Sequence, residues 1–418
     1  MPPPLQSRNR RFSPAHASDQ QARVYRSLKQ VEQWVENHDY AAYEPFDGLS
    51  SPWHRLTGGH LLLDRLLLQA VRQSPLNLRP MLGIKPLPST KGRGYMAAGY
   101  LLMHGVTADP DYRRKAAACL HWLQQHKSHK FAEYSWANHF DFASRAGRYP
   151  KDESIIVWTA LIGQAFIDGY EAIGAQEFLE VAESACRWIL SLPRERTTSG
   201  TCLSYHSLSQ ESIHNANMLG AALLARTWQH TNNDDFLRPA EEAMRYSCSR
   251  QRADGSWWYA EPSKFQWIDN FHTGYNLDSL KCYVDATGDD TYRDAIVRGL
   301  SFYKAHFFGD DGCPRYYHNQ TRPIDSQCAA QAIETLANLS DDDDEALELS
   351  TRVATWTIAH MQDRDGHFYY RLYPGVKAKA PMLHWAQATM YKGLSLLLVK
   401  LHQREAVPLT ARTTVATA

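Results

Sequence analysis

The chain has 418 residues, 44% of them hydrophobic, and 45 Lys and Arg balance 45 Asp and Glu. A formal net charge of zero removes the basic footprint of a nucleic-acid binder and gives no overall attraction to an anionic membrane. Length alone predicts two or three domains, but repeat architectures run this long as one unit.

In chain order, residues 1–22 (MPPPLQSRNRRFSPAHASDQQA) read as a disordered tail without the apolar run of a secretory signal. HLLLDRLLLQAV, the longest apolar stretch, predicts an early helix over residues 60–70. It is interrupted by Asp64 and Arg65 and is too short to span a membrane. TKGRGY, residues 90–95, has neither the Walker nor the Rossmann spacing and reads as a loop into a helix. No cofactor is expected. The seven cysteines, Cys119, Cys186, Cys202, Cys248, Cys282, Cys313 and Cys328, form no C-x-x-C pair. They predict a reducing compartment, hence a cytoplasmic protein, without disulfides or structural zinc.

From residue 110 one unit recurs. AACLHWLQQH, SACRWILSL, EAMRYSCSRQ, RGLSFYKAHF and RVATWTIAHMQ are similar helices with Trp122, Trp188, Tyr246, Phe302 and Trp356 near their middles. Short polar turns precede them, and Gly174 and Gly288 there suit left-handed helix caps. After them come Asp-Gly turns with alternating aromatics, QRADGSWWYAE, FGDDGCPRYYHN and QDRDGHFYYRLY. The next helices open at IHNANMLG, IDNFHTGYNL, IDSQCAAQ and LHWAQATM. Counting the helix at 60–70, six helical hairpins fit. Closed into a ring, they make an all-α (α/α)6 toroid over residues 23–402, with long loops around a cavity at one end. Residues 403–418 read as a second disordered tail, and DDDDE at 341–345 as a solvated turn before a helix.

Candidate chemistry gathers at these helix starts. Asp269 and Asp325 each follow isoleucine, where an aspartate caps a helix and can also face a cavity as acid or base. Asp269, His272, Asn276 and Ser279 fall on one helical face. His214, His272 and His384 recur at the same end of the repeat, which suits proton transfer, and no H-E-x-x-H spacing supports a metal. The catalytic set is therefore Asp269, Asp325, His272 and His214. For substrate binding, Trp136, Trp257, Trp258, Tyr317 and His318 supply loop rings, Glu261 a carboxyl and Asp141 a further loop charge. Asn217, Tyr275, His384 and Gln387 join them from the helix starts. Arg145 suits a bidentate grip on a uronate or phosphate, which makes an anionic carbohydrate a candidate substrate.

The motifs QRADGSWWY, WIDNFHTGYNLDSLKCYVDATGD, YYHNQTRPIDSQCAAQAIETL and HWAQATM, within residues 91–401, resemble the six-hairpin glycosidase-like superfamily. Within it the chain looks like proteins of bacterial exopolysaccharide and capsule biosynthesis clusters. The resemblance implies a toroid and work on carbohydrate, without selecting among hydrolase, lyase and epimerase. A non-catalytic glycan-binding protein on the same fold is the alternative. A terpenoid-cyclase-like enzyme, to whose repeats Asp-Gly-Ser-Trp is similar, fits less well because the helix starts are polar.

Overall fold

The computed structural model describes residues 11–144 and 147–406. Its helices are α1 (Asp19–Asn37), α2 (Leu61–Gln73), α3 (Thr90–Thr107), α4 (Pro110–Gln125), α5 (Ile156–Ile173), α6 (Gln176–Ser191), α7 (His214–Thr231), α8 (Asp234–Cys248), α9 (Asn270–Thr287), α10 (Arg293–His306), α11 (Ser326–Asn338), α12 (Asp344–Met361) and α13 (Thr389–Ala406).

The odd-numbered helices from α3 to α13 form an inner ring. Each packs on the next, and α13 returns to α3. Helices α4, α6, α8, α10 and α12 lie outside their preceding inner helices. Burial explains the division. Outer α8 buries Phe236, Ala240, Ala243, Met244 and Ser247, one stripe at helical spacing, whereas inner α7 is buried without interruption from His214 to Ala225. The result is the expected all-α (α/α)6 toroid.

The sixth hairpin differs from the expected one. Its outer helix is α1, which packs on α13, so the two ends of the chain complete the ring together. Ser18 and Gln21 form a reciprocal capping box, and Val24, Leu28, Val31 and Val35 are buried along one side of α1. Phe12 is buried against Tyr25 and His402, and its N–H donates to the Val106 carbonyl. Residues 11–22, expected as tail, are thus built into the fold, and 403–406 continue α13. The rest of both expected tails lies outside the described residues. Helix α2 stays out of the ring and packs on the 47–50 turn and the 142–143 strand. Residues 90–95 are the first turns of α3 rather than a loop, because Ser89 caps it by accepting from Gly92 N–H.

The Asp-Gly turns explain themselves by contact. Gly255, Gly312 and Gly366 have φ of +89°, +87° and +101°, and a Cβ on them would sit 2.3–2.7 Å from the backbone of Arg298, Arg352 and Gln30. These lie on α10, α12 and α1, so each turn presses on the next outer helix and only glycine fits. Asp343, in the DDDDE run, caps α12 by accepting from Ala346 N–H.

At the loop end, extended residues before the inner helices bridge to the following loop. The pairs are Ile155 with His206, Ile213 with Ala260, Asp269 with Tyr317, Asp325 with Arg371, and Met382 with Tyr43. The last pair brings the loop after α1 against the start of α13. Among the described residues no helix is long and apolar enough to cross a membrane.

Candidate active site

The ring encloses a cavity of about 590 Å³ at its loop end. Its walls are aromatic. Tyr259 stacks on Trp267 at 4.5 Å, and Phe271 meets Trp385 edge-on at 5.4 Å. Flat rings of this kind offer stacking faces with few hydrogen-bond demands.

Two imidazoles open onto this space. At the start of α9, Asp269 accepts from His272 N–H (3.0 Å) as its helix cap, and its other oxygen meets His272 Nδ1 at 2.7 Å and accepts from Trp267 Nε1 at 2.8 Å. The cap thus also orients the ring one turn on, leaving His272 Nε2 without a protein partner among the described residues. Before α13, a π-helical turn, Leu383–Ala388, carries His384, whose Nδ1 bonds the Glu44 carboxylate. Its Nε2 is likewise without a partner there. Glu44 is buried beside Lys91, whose Nζ lies 3.4 Å from it, 3.0 Å from Asn138 Oδ1 and 4.4 Å from the Trp158 ring centre.

Burial sets the charges. Burial alone would raise the Glu44 pKa, but His384 and Lys91 outweigh it and hold the carboxyl well below its usual range. Burial pulls the His384 pKa down despite Glu44, and does the same to Lys91. His384 is therefore a neutral base near pH 7. Tyr95 and Tyr275 share a 3.0 Å hydroxyl contact, and Gln327 Nε2 donates to Tyr275. Burial raises the pKa of both tyrosines, keeping them as neutral donors.

Of the residues singled out from sequence, Asp269, His272, Tyr275, Tyr317 and His384 line the cavity. The others do not. Asp325 caps α11 and is sealed by Arg371 Nε and Trp385 Nε1, a buried ion pair behind the wall. His214 has both ring nitrogens engaged, by Ser247 Oγ (3.2 Å) and Glu261 (2.7 Å). Glu261 is held below its usual pKa by that hydrogen bond. Asn217 ties Leu203 N–H to the Ala243 carbonyl and Ser247, and Gln387 bonds both backbone groups of Phe368. Trp136 and Trp257 are buried, donating to the Leu123 and Ser247 carbonyls. Trp258 lies under Arg252, His318 meets the Ile268 carbonyl, and Asp141 accepts from Lys151 N–H. Arg145 lies outside the described residues. Asn276 and Ser279 are buried and do not line the cavity.

Sequence reasoning missed Glu44, Lys91, Arg72, Tyr95, Trp158 and Glu211. Lys91 falls in the stretch that sequence assigns to a loop. Glu44 had no signal, because its partner is 340 residues away in sequence. No cluster of metal-ligating side chains occurs among the described residues.

No protein-family model and no curated protein sequence matches the chain. Solved structures share its fold. A cellobiose 2-epimerase from Bacillus thermoamylovorans aligns with a TM-score of 0.59 at 12% identity, over 76% of this chain and 88% of that one. A glycoside hydrolase family 76 α-mannanase from Bacteroides thetaiotaomicron aligns at 0.59 and 12%, over 75% and 87%. A polysaccharide lyase aligns at 0.59 and 11%, over 93% and 99%. At such identities the likeness is one of fold.

Proposed function

We propose that the chain isomerises or epimerises a saccharide by proton transfer, with His272 and His384 as the two bases. One observation carries this reading: two imidazoles open on one cavity, each oriented through Nδ1 by a carboxylate. One imidazole takes the proton from the carbon beside the carbonyl of an open-chain sugar. The C–H electrons form the C=C bond of an enediolate, the carbonyl oxygen takes the negative charge, and neutral hydroxyl donors such as the Tyr95–Tyr275 pair hydrogen-bond to it. The second imidazole, as imidazolium, returns a proton to the other face or to the neighbouring carbon. Atoms and charge balance without an external oxidant. The aromatic walls hold the ring faces of the sugar. Arg65 and Arg72 line the mouth without an ion pair among the described residues, which supports an anionic sugar. The sequence resemblance supports a saccharide of exopolysaccharide formation, and sugar epimerases occur among proteins of this fold.

Glu211 supports a second reading, hydrolysis. It lines the cavity, and one of its oxygens is buried without a hydrogen bond, 3.6 Å from His206. A general acid needs such a carboxyl.

The test is incubation of the protein in deuterium oxide with neutral and uronic sugars, followed by mass spectrometry and NMR. Deuterium beside the carbonyl, lost in His272→Gln and in His384→Gln, supports proton transfer. A gain of water abolished by Glu211→Gln would replace it with hydrolysis. Sugars bound but unchanged would leave a glycan-binding protein.

A further inference from the structure

Twelve large hydrophobic side chains are exposed among the described residues, and nine of them lie within residues 53–87: Trp53, Leu56, Leu61, Leu62, Leu63, Leu66, Leu76, Met81 and Leu87. This segment holds α2, the helix outside the ring. Leu62, Leu63 and Leu66 lie 46% or more exposed on its solvent side, while Arg65, Gln69, Arg72 and Gln73 line the cavity mouth beside them. A surface helix ordinarily turns its leucines inward.

The charge of the segment is as one-sided as its hydrophobicity. Residues 53–87 contain one acid, Asp64, which is buried and paired with Arg148, and five bases; Arg79 among these is buried on Asp47 and Arg65 and Arg72 line the cavity, so the exposed charges of the face are Arg55 and Lys85, both positive. The zero net charge of the chain conceals this local excess. A second copy docked through a twofold axis would set these bases against themselves with no acid to answer them.

We propose that this face binds an anionic lipid bilayer, with the leucines and Trp53 entering the headgroup boundary and Arg55 and Lys85 meeting the lipid charge. The cavity mouth then opens beside the membrane surface. The proposal is independent of the reaction chemistry.

The experiment is co-sedimentation of the full chain with vesicles of phosphatidylcholine, with and without about 30% phosphatidylglycerol. Binding should be strong to the mixed vesicles, weak to phosphatidylcholine alone, and lowered by salt. Leu62→Ser/Leu63→Ser/Leu66→Ser should reduce it by about a hundredfold or more, and Arg55→Ser or Lys85→Ser by about fivefold each. Brominated acyl chains should quench wild-type tryptophan fluorescence, and Trp53→Phe should lose that part of the quenching, a readout free of any folding defect in the triple variant. Absence of binding to the mixed vesicles overturns the proposal. So does unaltered binding by the triple variant, or a wild-type dimer in ultracentrifugation that the leucine changes convert to monomer, since a second copy then covers the face.

Discussion

Consecutive inner helices begin alike but end in opposite chemistry. The starts of α9 and α13 are open, with His272 and His384 each held by a carboxylate on one nitrogen and facing the cavity with the other. The starts of α7 and α11 are sealed. His214 has its second nitrogen closed by Ser247, and Asp325 is spent on Arg371. The His–Glu pairs make the contrast sharpest. Glu261 follows the bridge residue Ala260 as Glu44 follows Tyr43, yet Glu261 takes Nε2 of its histidine and Glu44 takes Nδ1. Which nitrogen the carboxylate takes decides whether the same repeat position supports the scaffold or faces a ligand.

Six substitutions and one titration test that contrast. The largest effect is expected at the open positions. His272→Gln or His384→Gln should lower turnover by about 10²–10⁴-fold while the thermal midpoint stays close to wild type. Asp325→Ala should instead cost about 3–5 kcal/mol of stability in urea unfolding, because Arg371 is left as a buried unpaired cation. Loss of activity in that variant without loss of stability would break the division into open and sealed starts. Asp269→Asn keeps the helix cap but turns an amide N–H₂ toward Trp267 Nε1–H, so it should cost about 1–3 kcal/mol, while the ring of His272 loses its anionic partner and turnover falls roughly tenfold or more. His214→Gln should cost about 1 kcal/mol through a lost buried hydrogen bond and leave turnover near wild type. The smallest effect is one of pH. Because burial lowers the His384 pKa, the neutral base survives to lower pH than a free imidazole, so the acidic limb of its activity should lie below pH 6.5. Glu44→Gln removes the anion that opposes this shift, and the limb should move further down.

Much of the toroid was legible. The recurring aromatic helices are the outer ring, and the polar helix starts are the rim of the cavity. Local signals also announce α1, with Ser18 and Gln21 as a capping box and Val24, Leu28, Val31 and Val35 as a stripe. It stands outside the count of repeats because a polar stretch precedes it and the recurring unit is legible only from residue 110. The apolar run at 60–70 took its place in the count, since hydrophobicity does not say whether leucines face a core or solvent. In the site, Asp269 and His272 were legible because they sit three residues apart on one helix. Asp325 and His214 shared the position but not the environment, which loops distant in sequence determine. Glu44 and Lys91 reach His384 only through tertiary contact, so no spacing could announce them.

The closure of the ring by α1 and α13 sets an order of events during synthesis. Helix α1 is made before α13, so its apolar stripe must wait for that partner, and such long-range contacts form late and slowly. His384 and Glu44 come from those same two ends. The chain therefore cannot orient His384 until its ring has shut, so partly made chains carry a half-built cavity and no second base.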